Sequence, residues 1–308
     1  MGVRLMSDII KIENLTKDYG DGRGVFNLNF SIKKGEMFGF VGANGAGKTT
    51  TIRQIMGFLK PDEGRVTVCG LDAWEEADKT KKYIGYVPGE IAFPDLPSGT
   101  AFIKSQAGFL GVKDLSYANS LIKKLQLDPS ANLKRMSKGM KQKTAIVVAL
   151  LADPEILILD EPTTGLDPLM RVAFMDVVAQ EKQKGRTILI SSHLYEELEK
   201  NCDRVALIDK GRIVDIADMN EIKNRPISDY KIEFNKKADY DKFKSMGYDI
   251  IRDQKEYSQV TVSIKKENIN KLFEDLTQFD VKFIAEVPYT LEKHFKQKLE
   301  EFKKENKR

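Results

Sequence analysis

The chain has 308 residues, 41% hydrophobic and 31% charged, a profile that excludes a disordered protein and leaves room for two folded domains. Lys and Arg number 50 against 46 Asp and Glu, and the net charge of +4 is too weak a footprint to argue for nucleic acid. Two cysteines, Cys69 and Cys202, stand far apart without CxxC spacing, which excludes a disulfide framework and fits a reducing compartment.

The opening Met1-Gly2-Val3-Arg4-Leu5 has neither the apolar core of a signal peptide nor the Ser or Thr of a myristoylation site, and Met6 is an alternative start. Ile9 to Leu15 and Phe26 to Ile32 then read as a pair of β-strands around the loop Gly20-Asp21-Gly22-Arg23-Gly24. Met37 to Val41 is a short buried strand that runs into a glycine-rich loop, and a helix follows from Lys48 to about Phe58. Pro61-Asp62-Glu63-Gly64 makes a turn before the strand Arg65 to Val68, which leads to Cys69 as a small core residue.

Residues from about 95 to 150 form a helical insert, opened by Leu96-Pro97-Ser98-Gly99-Thr100 and carrying helical apolar spacing over Tyr117 to Leu125. The longest apolar run, Ala145 to Ala152, is far short of the ~18–20 residues of a membrane span. Three further buried strands follow at Ile156 to Leu159, Thr187 to Ser191 and Val205 to Ile208. Strands alternating with helices predict a parallel sheet with helices on its faces. After about residue 220 the pattern resets: strands at Tyr230 to Phe234, Tyr248 to Ile251, Val260 to Ile264 and Lys282 to Val287 enclose helices at Tyr240 to Met246 and Ile269 to Phe279. That β-α-β-β-α-β order predicts a small ferredoxin-like domain, closed by a helix from Leu291 to about Lys304 and a solvated basic tail at Lys303 to Arg308.

The strongest chemical signal is Gly42-Ala43-Asn44-Gly45-Ala46-Gly47-Lys48-Thr49-Thr50. Backbone N–H groups of such a loop converge on phosphate oxygens, and its glycines let the chain approach without Cβ clashes. The helix that follows turns its N-terminus toward the same anion. Lys48 would reach the β- and γ-phosphates, and Thr49 would ligate Mg²⁺. Ile156-Leu157-Ile158-Leu159-Asp160-Glu161 ends a buried strand in two carboxylates, hard to explain by packing because burying charge is costly. Asp160 suits the Mg²⁺ shell and Glu161 suits a general base that polarises an attacking water.

Together with later motifs this chain resembles the ATP-binding subunits of ABC transporters. The resemblance covers about 210 residues. Met136-Ser137-Lys138-Gly139-Met140-Lys141-Gln142-Lys143 is similar to the family signature in altered form; Pro162-Thr163-Thr164-Gly165-Leu166-Asp167 continues Glu161 as a D-loop; His193 follows Ser191-Ser192 at the switch-histidine position. The resemblance implies a P-loop NTPase core of α/β class with an antiparallel N-terminal β element and the helical insert over residues 1–220. It also implies two ATPase subunits that sandwich ATP between the glycine loop of one and Ser137 and Gly139 of the other. Tyr19, in Lys17-Asp18-Tyr19-Gly20, matches the aromatic that stacks on adenine, and His193 would sense the γ-phosphate or hold the water. His294 has no such place and reads as a structural residue.

The chain departs from the family pattern in two places. Lys138 and Met140 replace a glycine and a glutamine of the signature, the first adding positive charge near the partner's nucleotide. Gly89 follows Ile84-Gly85-Tyr86-Val87-Pro88 where a metal-facing glutamine is usual, and Glu90 is the nearest polar replacement. The reading is an exporter-type ATPase with ATP and Mg²⁺ as cofactors. It would be a homodimer, cytoplasmic and peripheral on the inner face of the membrane. A separate multi-span permease would meet it at the insert and at Gly89 to Pro97, and no nucleic acid is involved. An importer ATPase and a soluble ABC ATPase acting on ribosomes or DNA are the alternatives; the small domain at 221–308 counts against the first, and the single ATPase domain without a long coiled coil against the second.

Overall fold

Alternating inward residues shape the first sheet. In the computed structural model, which describes residues 8–305, strand Asp8–Asp18 pairs antiparallel with Gly24–Lys33, setting Ile12 opposite Phe30 and Leu15 opposite Leu28. The readings of Met1 to Met6 and of the last three residues of the basic tail lie outside the described residues. Glu63–Val68 lies antiparallel on the other side of the first strand, and the two-residue strand Leu71–Asp72 ends this four-stranded sheet.

The second sheet has six strands, in the spatial order Arg212–Asp218, Arg204–Asp209, Met37–Val41, Thr187–Ser192, Ile156–Asp160 and Ile84–Val87. Five are parallel, and only Arg212–Asp218 at one edge is antiparallel. Every residue of Met37–Val41, Ile156–Asp160 and Thr187–Ser192 is buried, as a strand covered on both faces requires. Phe30 of the first sheet stacks on Phe38 of the second at 5.4 Å, inside one continuous core with Ile10, Phe40, Ile52, Ile158 and Leu189. Because the central strands run the same way, their C-terminal ends arrive at one edge: Val41 stands opposite Ser192, and Asp160 opposite Ser191.

The insert consists of helices Gly99–Phe109, Ser116–Lys124 and Lys138–Ala149. Ser98 starts the first by accepting a hydrogen bond from the Ala101 N–H at 3.2 Å. Phe102, Leu133 and Met136 form a small separate core with Phe93 and Leu96.

Two compact units emerge, one running to Asp218 and resuming at Lys298, the other Met219–Gln297. In the second, strands Ile227–Phe234, Asp249–Gln254, Gln259–Lys265 and Val281–Val287 alternate with helices Lys237–Lys244 and Ile269–Leu276 in β-α-β-β-α-β order. Its sheet runs second, third, first, fourth strand, antiparallel throughout, over a core of Ile232, Phe234, Tyr240, Phe243, Val262 and Leu272.

Three strands went unrecognised in the sequence, the two-residue Leu71–Asp72 among them. Ile84–Val87 is only four residues long and contains Gly85, where a Cβ would stand 2.1 Å from the Ala149 carbonyl; the glycine reads as a break but is a packing requirement. Arg212–Asp218 is a half-buried edge strand rich in charge, which hides the buried-strand pattern.

A buried carboxylate ties the insert to the core. Glu181, fully buried at the end of helix Pro168–Gln183, accepts from Lys184 at 2.7 Å, from Arg186, and from the hydroxyl of Tyr117 on the insert. Burial alone would push the Glu181 carboxyl up; the hydrogen bonds from Lys184 and Tyr117 and the Arg186 charge outweigh it and hold the group below its ordinary value. The unfolded chain therefore takes up this proton first, so the stabilisation is present above the unfolded pKa, near 4.5, and is lost as pH falls through the folded value. Glu181→Gln should cost about 3 kcal/mol in denaturant unfolding at neutral pH, because Arg186 stays buried with one partner fewer. The acid-side decline in stability should also flatten in this variant, and an unchanged unfolding midpoint and pH profile would remove Glu181 from this role.

Candidate active site

The glycine loop occupies the turn between strand Met37–Val41 and helix Lys48–Ile55. Gly45 and Gly47 have φ of 79° and 117°, which L side chains adopt only under strain. At Gly42 a Cβ would meet the Ile208 carbonyl at 2.4 Å, and at Gly47 it would meet Val25 at 2.6 Å. The loop is thus wrapped closely around the Lys48 ammonium, which donates to the carbonyls of Gly42 at 2.7 Å and Ala43 at 3.2 Å. Asn44 and Gly45 stand exposed at the rim, while Thr50 continues the helix and its carbonyl accepts from Gln54.

Opposite the loop stand the two carboxylates. Asp160 is completely buried and accepts from the Thr49 hydroxyl at 2.8 Å and from the Ser191 hydroxyl at 2.6 Å. Glu161 lies 3.2 Å from the Lys48 ammonium through Oε1 and 3.5 Å from His193 Nδ1 through Oε2, and Thr164 donates to Oε2 at 3.4 Å. Its φ of 46° is left-handed, and its backbone N–H is held by the Ser191 hydroxyl at 2.9 Å. This turn sends the Glu161 side chain away from the strand direction and toward Lys48. Lys48, Thr49, Asp160, Glu161 and His193 are therefore brought together.

The other residues make no hydrogen bond to this cluster among the described residues, although Gly89 borders it. Tyr19 is half-exposed in a turn closed by its N–H to the Arg23 carbonyl at 2.8 Å; the strand after that turn begins at Gly24, whose carbonyl would be 3.4 Å from a Cβ on Gly47. Ser137 caps helix Lys138–Ala149 through the Met140 N–H at 3.2 Å, and Asp167 caps Pro168–Gln183 through the Met170 N–H at 3.0 Å. Gly139 packs against Gly165, whose carbonyl would lie 2.8 Å from a Cβ there. No hydrogen bond links Ser137, Gly139 or Asp167 to residues 42–50 among the described residues. Gly89 borders Asp160, whose Oδ2 would be 3.3 Å from a Cβ at that position, and Glu90 is exposed beside it.

Two functional side chains escaped the sequence reading. Ser191 binds both Asp160 and the Glu161 backbone, and Glu197 accepts from Thr163 at 3.0 Å and Ser192 at 3.1 Å, pinning the loop after Glu161. The signal for Ser191 was a hydroxyl inside a fully buried apolar strand, where it needs a partner. Among the described residues no group of three or more His, Cys, Asp and Glu is arranged to hold a metal. The oxygens of Thr49 and Asp160 are nevertheless hard ligands side by side, and a divalent cation that takes its remaining ligands from phosphates and water fits this donor set.

The ABC transporter family pattern matches residues 25–164. The linearmycin resistance ATP-binding protein LnrL of Bacillus subtilis is 37% identical over 222 residues, covering 70% of this chain and 71% of its own. The chain belongs to the ABC transporter ATP-binding proteins. The bacitracin transport ATP-binding protein BcrA of Bacillus licheniformis is 34% identical over 238 residues, covering 76% of this chain and 78% of its own. A solved ATP-binding subunit of an ABC transporter superposes with a TM-score of 0.64 at 28% identity, covering 70% of this chain and 92% of that one.

This ABC ATPase hydrolyses ATP and is of the exporter type. Hydrolysis needs phosphate oxygens neutralised, a water oriented and a proton accepted. Lys48 stands where it could answer the first need, and Glu161, flanked by His193, where it could answer the third. Glu161→Gln should bind ATP with near-normal affinity and lose about 10²–10⁴ of its turnover, since only the proton acceptor is removed. Steady-state phosphate release beside a nucleotide titration measures this; turnover close to wild type would exclude Glu161 as the base.

Proposed function

We propose that this ABC ATPase works as a pair of subunits on the cytoplasmic face of a membrane, where it powers export through a multi-span permease on a separate chain. The observation that carries the pairing is the exposure of Ser137, which caps its helix and makes no hydrogen bond to the chain's own phosphate loop among the described residues. A helix N-terminus with an exposed hydroxyl is an anion site in need of an anion, and the γ-phosphate bound to a second subunit supplies one. ATP would be held by Gly42, Asn44, Gly45, Gly47, Lys48, Thr49 and Thr50 of one subunit, with Tyr19 against the base, and by Ser137, Gly139 and Asp167 of the other. Mg²⁺ would rest on Thr49 and Asp160 and supply charge neutralisation at the phosphates. His193 then orients the water or reports the γ-phosphate.

The permease is inferred from two supports. No helix among the described residues is long and apolar enough to cross a membrane. The relatives are a resistance and a transport protein. The helical insert and the segment Gly89 to Pro97 are the proposed surface for that permease. Residues 221–308 are proposed as an accessory segment, ferredoxin-like within the compact unit Met219–Gln297.

Two experiments test the arrangement. Protomers carrying Lys48→Ala and protomers carrying Ser137→Arg should each be inactive, yet recover part of the ATPase activity on mixing, because one site of the mixed dimer pairs two intact halves. Mixed dimers that form but neither close nor hydrolyse ATP would rule out this shared site. Truncation near Asn220 should leave ATP binding intact and change association, read by light scattering with and without ATP. A folded truncation that dimerises and couples normally would exclude an association role for the second domain.

A further inference from the structure

A cavity of about 310 Å³ lies between the loop Gly89-Glu90-Ile91 and the first turns of helix Lys138–Ala149, lined by Gly89, Glu90, Ile91, Lys138, Lys141 and Gln142. Its size is at the small end for a ligand site. Three of its side chains are hydrogen-bond donors without a partner. Gln142 is 1% exposed, and its Nε2 is buried with no hydrogen-bond acceptor. Neither the Lys138 nor the Lys141 ammonium makes an ion pair or hydrogen bond among the described residues. A buried amide donor left unpaired is costly, and two lysines beside it at a helix N-terminus make the cavity receptive to an anion.

Glu90 narrows the choice of anion. A carboxylate in the wall repels a fully ionised anion but accepts a hydrogen bond from one that keeps a proton. Inorganic phosphate near neutral pH is such an anion, with three acceptor oxygens and a P–OH donor; sulfate has acceptors only. The position of the cavity adds a source. Gly89 forms part of its wall and also abuts Asp160, close enough that a Cβ would stand 3.3 Å from Oδ2. The cavity therefore shares a wall with the centre in which ATP and water become ADP and hydrogen phosphate.

We propose that this cavity is a second oxyanion site that receives the inorganic phosphate released by hydrolysis, with Gln142, Lys141 and Lys138 donating to its oxygens and Glu90 accepting from its hydroxyl. The site rests on the ATPase activity for its source of ligand, but binding to it is measurable without turnover.

Equilibrium dialysis with radiolabelled phosphate is run on the full chain, saturated with Mg²⁺ and a non-hydrolysable ATP analogue that fills the glycine loop through the γ position. Phosphate should still bind, at one site per subunit, and sulfate should compete poorly. Lys141→Gln and Gln142→Met should each weaken binding by about tenfold, as loss of a charge-assisted or buried donor implies. Glu90→Gln should let sulfate compete as well as phosphate. Lys141 lies on the surface side of the helix, so its variant keeps the test valid if the buried Gln142 variant fails to fold. Absence of phosphate binding with the analogue bound, binding indifferent to Lys141→Gln, or displacement by acetate as effective as by phosphate would each overturn the proposal. Failure here would leave ATP hydrolysis by Glu161 untouched, and an inactive Glu161→Gln protein should still bind phosphate.

Discussion

The arrangement depends on how a fully buried carboxylate, Asp160, is made tolerable. An ionised carboxylate removed from water is costly unless its oxygens are hydrogen-bonded. Asp160 has a hydroxyl on each oxygen, Thr49 at 2.8 Å and Ser191 at 2.6 Å. Asp160 and its two donors come from three different places in the chain: the end of one strand, the neighbouring strand, and the first turn of the helix after the glycine loop. Satisfying one charge thus fixes the relation of the loop to two parallel strands. A shift by one residue in either strand would turn Ser191 or Asp160 to the opposite face of the sheet and leave the charge unpaired.

The same fixation orients Glu161. Its left-handed backbone costs on the order of 1 kcal/mol or more for a residue other than glycine. Ser191 helps to hold that turn by accepting from the Glu161 N–H, so one serine serves both carboxylates. Farther out, Glu197 binds Thr163 and Ser192 together and keeps the segment after Glu161 against the adjacent strand. The result is a carboxylate facing Lys48 and His193 instead of solvent, with its position set by backbone geometry and not by side-chain freedom.

Sequence and structure agree where local chemistry is strict. The glycine loop and the aliphatic run before Asp160 each announce themselves through residues that few other local conformations favour. The buried strands were legible for the same reason, since short continuous apolar runs of three to five residues bounded by polar ones have few alternatives. What escaped depends on tertiary contact. Gly85 is required because the Ala149 carbonyl passes over it, and nothing local signals that approach. Ser191 looks like an ordinary strand serine until its opposite number in the register is known to be Asp160. Gln142, buried with a free amide, could not be distinguished from a solvent-facing helical glutamine by spacing, because the loop that covers it lies some fifty residues earlier in the chain.

The close packing of two glycines gives the site a route to the signature segment of its own chain. Gly139, next to Ser137, lies so near the Gly165 carbonyl that a Cβ would approach to 2.8 Å, and a Cβ on Gly165 would lie 2.9 Å from the Lys138 side chain. Gly165 belongs to the stretch that begins at Glu161 and ends at Asp167, the cap of helix Pro168–Gln183. Backbone packed on backbone with no side chain between them is stiff, since neither surface has a rotamer with which to absorb a displacement. The turn after Glu161 and the N-terminus that Ser137 presents are therefore in direct backbone contact. Tyr117 on Glu181 is a further tie of the insert to the core, and breaking it would cost a buried carboxylate one donor. The insert thus meets the core where Gly139 packs on Gly165 and where Tyr117 binds Glu181, as well as where Gly85 lies under the Ala149 carbonyl.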